Sequence, residues 1–323
     1  MKNVLLLETV AEDADEILRK NTRVIEAYHP ENPLEKSRQQ PIHAIVTRGK
    51  GQVNRKLLQS CPDLEVVARC GVGLDNVDVD EATRQNVRVI NAPGSNAATI
   101  AEHTLTLMLM SVRNAWKSAE RVKAGDWVWR NQYTGDELSG KTLGILGIGN
   151  IGKRVARLAD VFGMDILYWD KFPVESEHPS ASMEDVLKQA DVVTVHVPLV
   201  KETEKMIGEK EIGFMQPHAF LINTARGAVI DEEALITALN QNKIAGFAAD
   251  VLAVEPPEPD HPLINHPKTL ITPHSGSLTA STYRYMCVSA VNNVVAVLSG
   301  EDPEPHSVFN RKDLISKKSK NER

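Results

Sequence analysis

The 323-residue chain reads as an α/β protein made of two successive parallel-sheet units. Three observations predict this. Short β-rich runs alternate with helical patterns through residues 1–96 and again through 141–274, the signature of parallel strands covered by helices. A glycine turn, Gly147-Ile148-Gly149-Asn150-Ile151-Gly152, joins the apolar run Thr142–Leu146 to the helical pattern Ile151–Phe162. Between the two regions lies a long helical pattern, Ala98–Lys123, whose middle, Leu105-Thr106-Leu107-Met108-Leu109-Met110, is too apolar to face water and is expected to be buried in an interface.

In the first region the strand candidates are Val4–Glu8, Arg23–Tyr28, His43–Thr47, Glu65–Arg69 and Arg88–Asn91, with helical stretches such as Ala11–Lys20 and Asn54–Ser60 between them. In the second, Asp165–Trp169, Val192–Val197, Ala219–Asn223, Ala245–Asp250 and Thr269–Thr272 follow the strand at Thr142–Leu146. A last helical pattern, Ala280–Leu298, is placed to carry the chain back to the first unit. The tail Arg311–Arg323 reads as a disordered, solvated end. With 42% hydrophobic and 25% charged residues the composition is that of an ordinary globular protein, and a formal charge of −6 argues against a nucleic-acid surface. Cys61, Cys70 and Cys287 are odd in number and have neither metal-site nor redox-pair spacing, which suits a reducing cytoplasm. No metal is expected. The apolar run at the N-terminus is short and meets Glu8 at once, unlike a signal peptide, and no later run approaches the ~18 residues of a membrane span.

The glycine turn has the physical parts of a dinucleotide site. Gly147 permits the tight turn, Gly149 lets backbone approach a phosphate, and Gly152 lets the helix pack closely on the strand. The helix N-terminus supplies free N–H groups and a positive dipole end to the anion. The next strand ends in Asp170, about twenty residues on, where a carboxylate would accept hydrogen bonds from an adenosine ribose. A methyltransferase could share these glycines, so the remaining residues must decide.

Ligands of open parallel sheets collect beyond the carboxyl ends of the strands, and three successive exits carry reactive groups. Arg226 follows Ala219–Asn223, Glu255 follows Gly246–Asp250, and His274 follows Leu270–Thr272. Together they suit reduction of a 2-oxo acid. The planar fork of Arg226 can pair with a carboxylate and polarise the ketone. His274 can exchange a proton with the carbonyl oxygen, and Glu255 would orient the imidazole and favour its charged form. A methyltransferase gives no account of this trio.

With these residues in place the chain resembles the D-2-hydroxyacid dehydrogenases over nearly its whole length. The nucleotide signature is matched by residues 140–152, the catalytic motifs by Arg226, Glu255 and His274, and the substrate loop by Arg69-Cys70-Gly71-Val72-Gly73-Leu74-Asp75-Asn76-Val77-Asp78. The following segment is matched by Asn91 through Asn96 and by Ala101-Glu102-His103. The resemblance implies two doubly wound domains: a flavodoxin-like substrate-binding domain of residues 1–98 and 285–323, and a Rossmann NAD-binding domain of residues 99–284. It implies NAD as cofactor and a homodimer through the long helix region. It also implies that Val72 and Gly73 hold the substrate carboxylate through backbone N–H groups, and that Arg48, with Lys50, lies where a family loop can touch the far end of the substrate. Asn150 and Ile151 would meet the pyrophosphate, Asp170 the ribose, and Val197 with Pro198 the adenine side. Thr224, Ala225, Asp250 and the loop His274–Gly276 would lie along the nicotinamide. In the phosphoglycerate dehydrogenase branch, which the glycine loop favours, threonine is common where this chain has Val72 and Val197, so selectivity is open. The chain ends without the C-terminal regulatory domain that some of that branch carry, so feedback by serine through it is not expected. Glyoxylate or hydroxypyruvate reduction is an alternative activity, and an NAD-sensing corepressor that keeps the fold and its residues is an alternative of another class.

Overall fold

The computed structural model describes residues 1–28, 31–49 and 51–315. Lys50 and most of the charged tail, residues 316–323, lie outside them. The chain divides into two compact units, Met1–Asn96 with Leu278–Arg323, and Ala97–Ser277.

The first unit holds β1 (Asn3–Leu6), β2 (Arg23–Glu26), β3 (Ala44–Thr47), β4 (Val66–Arg69) and β5 (Arg88–Ile90) in the order β2-β1-β3-β4-β5. Every pairing is parallel. This is the flavodoxin-like order, as the sequence led us to expect. Alternate side chains leave each strand on opposite faces. Val4, Leu6, Val46 and Ala68 join one core with Leu18 of the helix Glu12–Asn21 and Ala290, Val291 and Val294 of the helix Ala280–Leu298. Leu5, Ile45, Val67 and Val89 join the other with Leu57 and Ala82. Because both faces are covered, these strands read as continuous apolar runs and not as alternations.

The second unit holds β6 (Thr142–Leu146), β7 (Asp165–Trp169), β8 (Val192–Val195), β9 (Phe220–Asn223), β10 (Gly246–Ala249) and β11 (Thr269–Ile271), ordered β11-β10-β9-β8-β6-β7 and parallel throughout. A Rossmann sheet has a third strand outside the second. Here it has shrunk to one bridge: Tyr168 donates from its N–H to the Pro179 carbonyl at 3.1 Å and accepts from the Ala181 N–H at 2.9 Å, beside Ser180. With that remnant counted, the order is that of the dinucleotide-binding fold, and its direction reverses between β6 and β8. The crevice at the carboxyl ends of those two strands is where such folds take a ligand.

Three expectations need correction. The long helical pattern is two helices, Ala97–Val112 and Ala115–Lys123, because Asn114 takes a left-handed backbone at φ 49°; asparagine tolerates that conformation better than most residues. The apolar middle of the pattern is buried in the core of its own unit, with Leu105, Leu107 and Met108 packed beside Ile145 and Ile222. The start of the tail is ordered, residues 311–315 forming a helical turn in which the Leu314 N–H donates to the Asn310 carbonyl at 3.1 Å. Among the described residues no helix is long and apolar enough to cross a membrane.

Candidate active site

The glycine turn follows β6 and leads into the helix Asn150–Val161. Gly147 has φ +97°, and a Cβ there would lie 2.9 Å from the His196 carbonyl group, so only glycine serves both the turn and the contact with the neighbouring strand exit. A Cβ at Gly152 would lie 2.2 Å from the Gly147 carbonyl oxygen; this glycine lets the helix sit directly on the turn. Gly149 differs, for a Cβ there meets nothing within 4 Å. Among the described residues no side chain caps this helix. The N–H groups of Asn150 and Ile151 donate to no acceptor among them, and Gly149 adds no side chain beside them, the arrangement an anion needs.

Asp170 stands at the end of β7 against the same turn. Its Oδ2 accepts from the Ile148 N–H at 2.9 Å and its Oδ1 from the Phe172 N–H at 3.1 Å. Thus the carboxylate that the sequence offers to a ribose also orders the glycine turn. On the far side of the turn Val197 is buried and Pro198 exposed. Before them His196 bonds through Nε2 to the Thr194 hydroxyl at 3.0 Å, while its Nδ1 is buried without a hydrogen-bond partner among the described residues. Burial lowers its pKa to about 3, so the ring is neutral. The sequence reading gave His196 no part.

The other exits of the sheet converge on Asp250, which follows β10 and is buried. Its Oδ1 accepts from the Thr272 hydroxyl at 2.5 Å and the Ser275 N–H at 2.9 Å, and its Oδ2 from the Gly276 N–H at 2.8 Å. His103, on the helix Ala97–Val112, stands 3.4 Å from Oδ1. Burial alone would raise this carboxyl, but the bonds from His103, Thr272, Gly276 and Ser275 outweigh it and hold the group below its usual 3.8. Asp250 therefore shapes the loop His274–Gly276 from beneath. His274 sits on that loop at φ +52°. Its N–H donates to the Asp250 carbonyl at 2.9 Å.

Above this anchor the His274 Nδ1 meets Glu255 Oε2 at 2.6 Å. The other oxygen, Oε1, accepts from the Leu252 N–H at 2.9 Å. Burial pushes the Glu255 carboxyl up, yet the bonds from His274 and Leu252 keep it below the usual 4.5. It is an anion at neutral pH and fixes the imidazole by Nδ1, leaving Nε2 without a protein partner among the described residues.

Arg226 opens the turn after β9. Asn223 shapes that turn, accepting from the Ala225 N–H and donating to the Arg226 carbonyl, both at 2.9 Å. Arg226 Nη1 donates to the Ala225 carbonyl at 2.7 Å, and Thr224 shares a 2.8 Å hydroxyl bond with Thr104. Next in sequence, Gly227 is pressed on the backbone of Leu252 and Ala253. Contacts thus run from the Arg226 turn through Leu252 and Glu255 to His274, and the sheet gathers the expected trio at one edge. The parts of Asn223, Gly227 and Thr272 are not legible in the sequence, and His103 shows there only as a match to a motif.

The remaining predicted residues belong to the first unit. Val72 and Gly73 lie half-buried in the turn after β4, and neither N–H donates to a partner among the described residues; the turn is held from behind by Asn91, whose Nδ2 donates to the Val72 carbonyl at 2.7 Å. Arg48 follows β3. Its Nη1 donates to the Tyr283 hydroxyl at 3.2 Å, with the guanidinium 5.4 Å from that ring.

A family model described as "D-isomer specific 2-hydroxyacid dehydrogenase, NAD binding domain" matches residues 105–276. The chain is 36% identical over 309 residues to the D-3-phosphoglycerate dehydrogenase of Methanocaldococcus jannaschii, covering 93% of this chain and 58% of that protein. It is thus well short of that relative's length. The glyoxylate reductase of Aeropyrum pernix is 38% identical over 317 residues, covering 93% of this chain and 94% of its own. The solved structure of the TT0316 protein from Thermus thermophilus superposes with a TM-score of 0.86 at 33% identity, covering 93% of this chain and 98% of that one.

Proposed function

This chain belongs to the D-isomer specific 2-hydroxyacid dehydrogenase family, and from that premise we propose that it is an NAD-dependent oxidoreductase interconverting a D-2-hydroxy acid and its 2-oxo acid. The observation that carries the reading is the 2.6 Å pair of Glu255 and His274 at the carboxyl edge of a dinucleotide-binding sheet. The relatives' names direct attention to 3-phosphoglycerate and glyoxylate as substrates.

The uncapped helix behind Gly149 fits a pyrophosphate, with Gly147, Asn150, Ile151 and Gly152 forming the cradle and Asp170, Val197 and Pro198 the adenosine side. Thr224, Ala225, Asp250 and Gly276 would line the nicotinamide end. When bound, this cofactor supplies or accepts the hydride. Glu255 holds Nδ1, so Nε2 of His274 carries the proton to the substrate oxygen in reduction and takes it back in oxidation. Arg226 steadies the substrate carboxylate and the charge that grows on the carbonyl oxygen. Val72 and Gly73 would receive the carboxylate on their free N–H groups.

Turnover of a panel of 2-oxo acids with NADH and with NADPH tests the proposal. Oxidation of NADH by at least one of them is expected. Failure with every member, in protein that still binds NADH, would favour the corepressor reading. We expect NADH to be preferred, because a carboxylate at Asp170 suits ribose hydroxyls and repels a 2′-phosphate. Asp170→Asn keeps an oxygen for the Ile148 N–H but loses the charge, and should cut the NADH-to-NADPH ratio of kcat/KM by about tenfold. A wild-type protein that uses NADPH as well as NADH would refute this. Trp127 and Val128 are each 67% exposed just beyond the helix Ala115–Lys123, an apolar surface that favours pairing with a second copy. The three free thiols favour a reducing cytoplasm.

A further inference from the structure

We propose that Glu8 is a positioning residue for substrate selectivity, fixing the turn after β3 so that Arg48 meets the end of the substrate remote from the reacting carbon. The inference rests on the reading of Arg48 as a substrate contact. Glu8 lies just past β1, and β1 pairs with β3, so its side chain reaches the neighbouring strand exit. One oxygen, Oε1, accepts from the Thr47 hydroxyl at 3.0 Å and from the N–H groups of Arg48, Gly49 and Gly51 at 2.9, 2.7 and 3.0 Å. Successive amides aimed at one anion form a nest, here filled by the protein's own carboxylate. The Glu8 side chain is only 10% exposed, and burial would push its carboxyl up, but the bonds from Gly49, Gly51, Arg48 and Thr47 hold it below its usual value.

The turn is braced elsewhere too. Asn76 Nδ2 donates to the Gly51 carbonyl at 2.7 Å and to the Thr47 hydroxyl at 3.3 Å. A Cβ at Gly51 would lie 2.6 Å from Leu7 Cβ, so the turn is seated on the end of β1. Against this fixed base the Arg48 guanidinium makes only a long ion pair. Glu8 Oε2 is 3.7 Å from its Nε, too far for a hydrogen bond, and that buried Nε has no hydrogen-bond partner among the described residues. The Tyr283 hydroxyl accepts one hydrogen bond from Nη1, and its ring lies 5.4 Å from the cation. An arginine aimed by an anion that is itself committed to the turn keeps its capacity for a second anionic group on the substrate.

The test compares two 2-oxo acids, 3-phosphohydroxypyruvate with a distal phosphate and glyoxylate with no distal group, in wild type, Glu8→Gln, Glu8→Asp and Arg48→Met. Glu8→Gln should raise KM for the phosphorylated acid about tenfold, with kcat, KM for glyoxylate and KM for NADH changed less than about twofold. Arg48→Met should raise KM for the phosphorylated acid more than KM for glyoxylate, and Glu8→Asp should show a smaller split than Glu8→Gln. If Arg48→Met gives the split and Glu8→Gln does not, Arg48 is a substrate contact and Glu8 does not position it. If neither gives it, the reading of Arg48 fails and the proposal with it. A rise of all three KM values together with a lowered Tm would make Glu8 a general structural residue and overturn the proposal. Should Glu8→Gln fail to fold, the KM split in Glu8→Asp decides the matter alone.

Discussion

Replacing His274 with alanine is expected to lower kcat by about 10²–10⁴ while leaving NADH affinity nearly intact, the loss typical of removing a positioned proton donor. Glu255→Gln should act differently. It keeps a hydrogen-bonding group at 2.6 Å from Nδ1 but removes the anion that stabilises the imidazolium. With the proton on Nε2 less well supported, kcat should fall in both directions in Glu255→Gln while KM for NADH stays nearly unchanged. The wild-type anion is secure at neutral pH. The folded carboxyl of Glu255 lies below its ordinary 4.5, so its bonds to His274 and Leu252 stabilise the loop above that value and are lost only as pH falls from there through the lowered pKa. Rates measured where chemistry limits turnover check both directions. Near wild-type turnover in His274→Ala, or unchanged kcat in Glu255→Gln, would transfer the acid/base role to another group.

Gly227→Ala should do damage of similar size without touching any reacting atom. Its Cβ would lie 1.9 Å from the Leu252 carbonyl carbon and 2.2 Å from the Ala253 nitrogen, backbone atoms that no rotamer change can move. One of the two turns must shift, and they carry Arg226 and Glu255. Displacement of such groups by about 1 Å costs about 10² in rate, and overpacking costs about 1–3 kcal/mol of stability. Both kcat/KM and Tm should fall. Gly149→Ala supplies the contrast: with nothing within 4 Å of the new methyl group, Tm should stay put while KM for NADH rises. Calorimetry beside steady-state kinetics separates the cases, and a Gly227→Ala protein with wild-type kcat/KM would show that the two turns move independently.

The strand exits were legible because composition there is local: a reactive side chain a few residues past an apolar run needs no knowledge of the rest of the chain. Partners across the sequence were not. His103 reaches Asp250 from a helix far earlier in the chain, and nothing in the run Ala101-Glu102-His103 names that acid. The break at Asn114 was hidden because apolar periodicity continues through it into Trp116, and the clue was the left-handed tolerance of asparagine alone. The third strand of the second sheet is one polar bridge at Ser180, with no β-rich run to mark it. Glu8 entered the sequence argument only as the charge that ends the first apolar run. Its use, four hydrogen bonds to the turn after a different strand, depends on β1 and β3 being neighbours, which no local pattern states.

Among the described non-glycine residues with left-handed backbone, Asn86, Asn114 and Asn242 are asparagines, and the others are Lys205 and His274. For most side chains that conformation costs about 1–2 kcal/mol, and glycine escapes it altogether. At position 274 a screen for heat resistance alone would therefore weigh the relief of that strain by glycine or asparagine against loss of the 2.6 Å pair with Glu255, and any such survivor would be inert. Directed evolution that rewards folding and turnover in separate rounds would be pulled in opposite directions at this one codon.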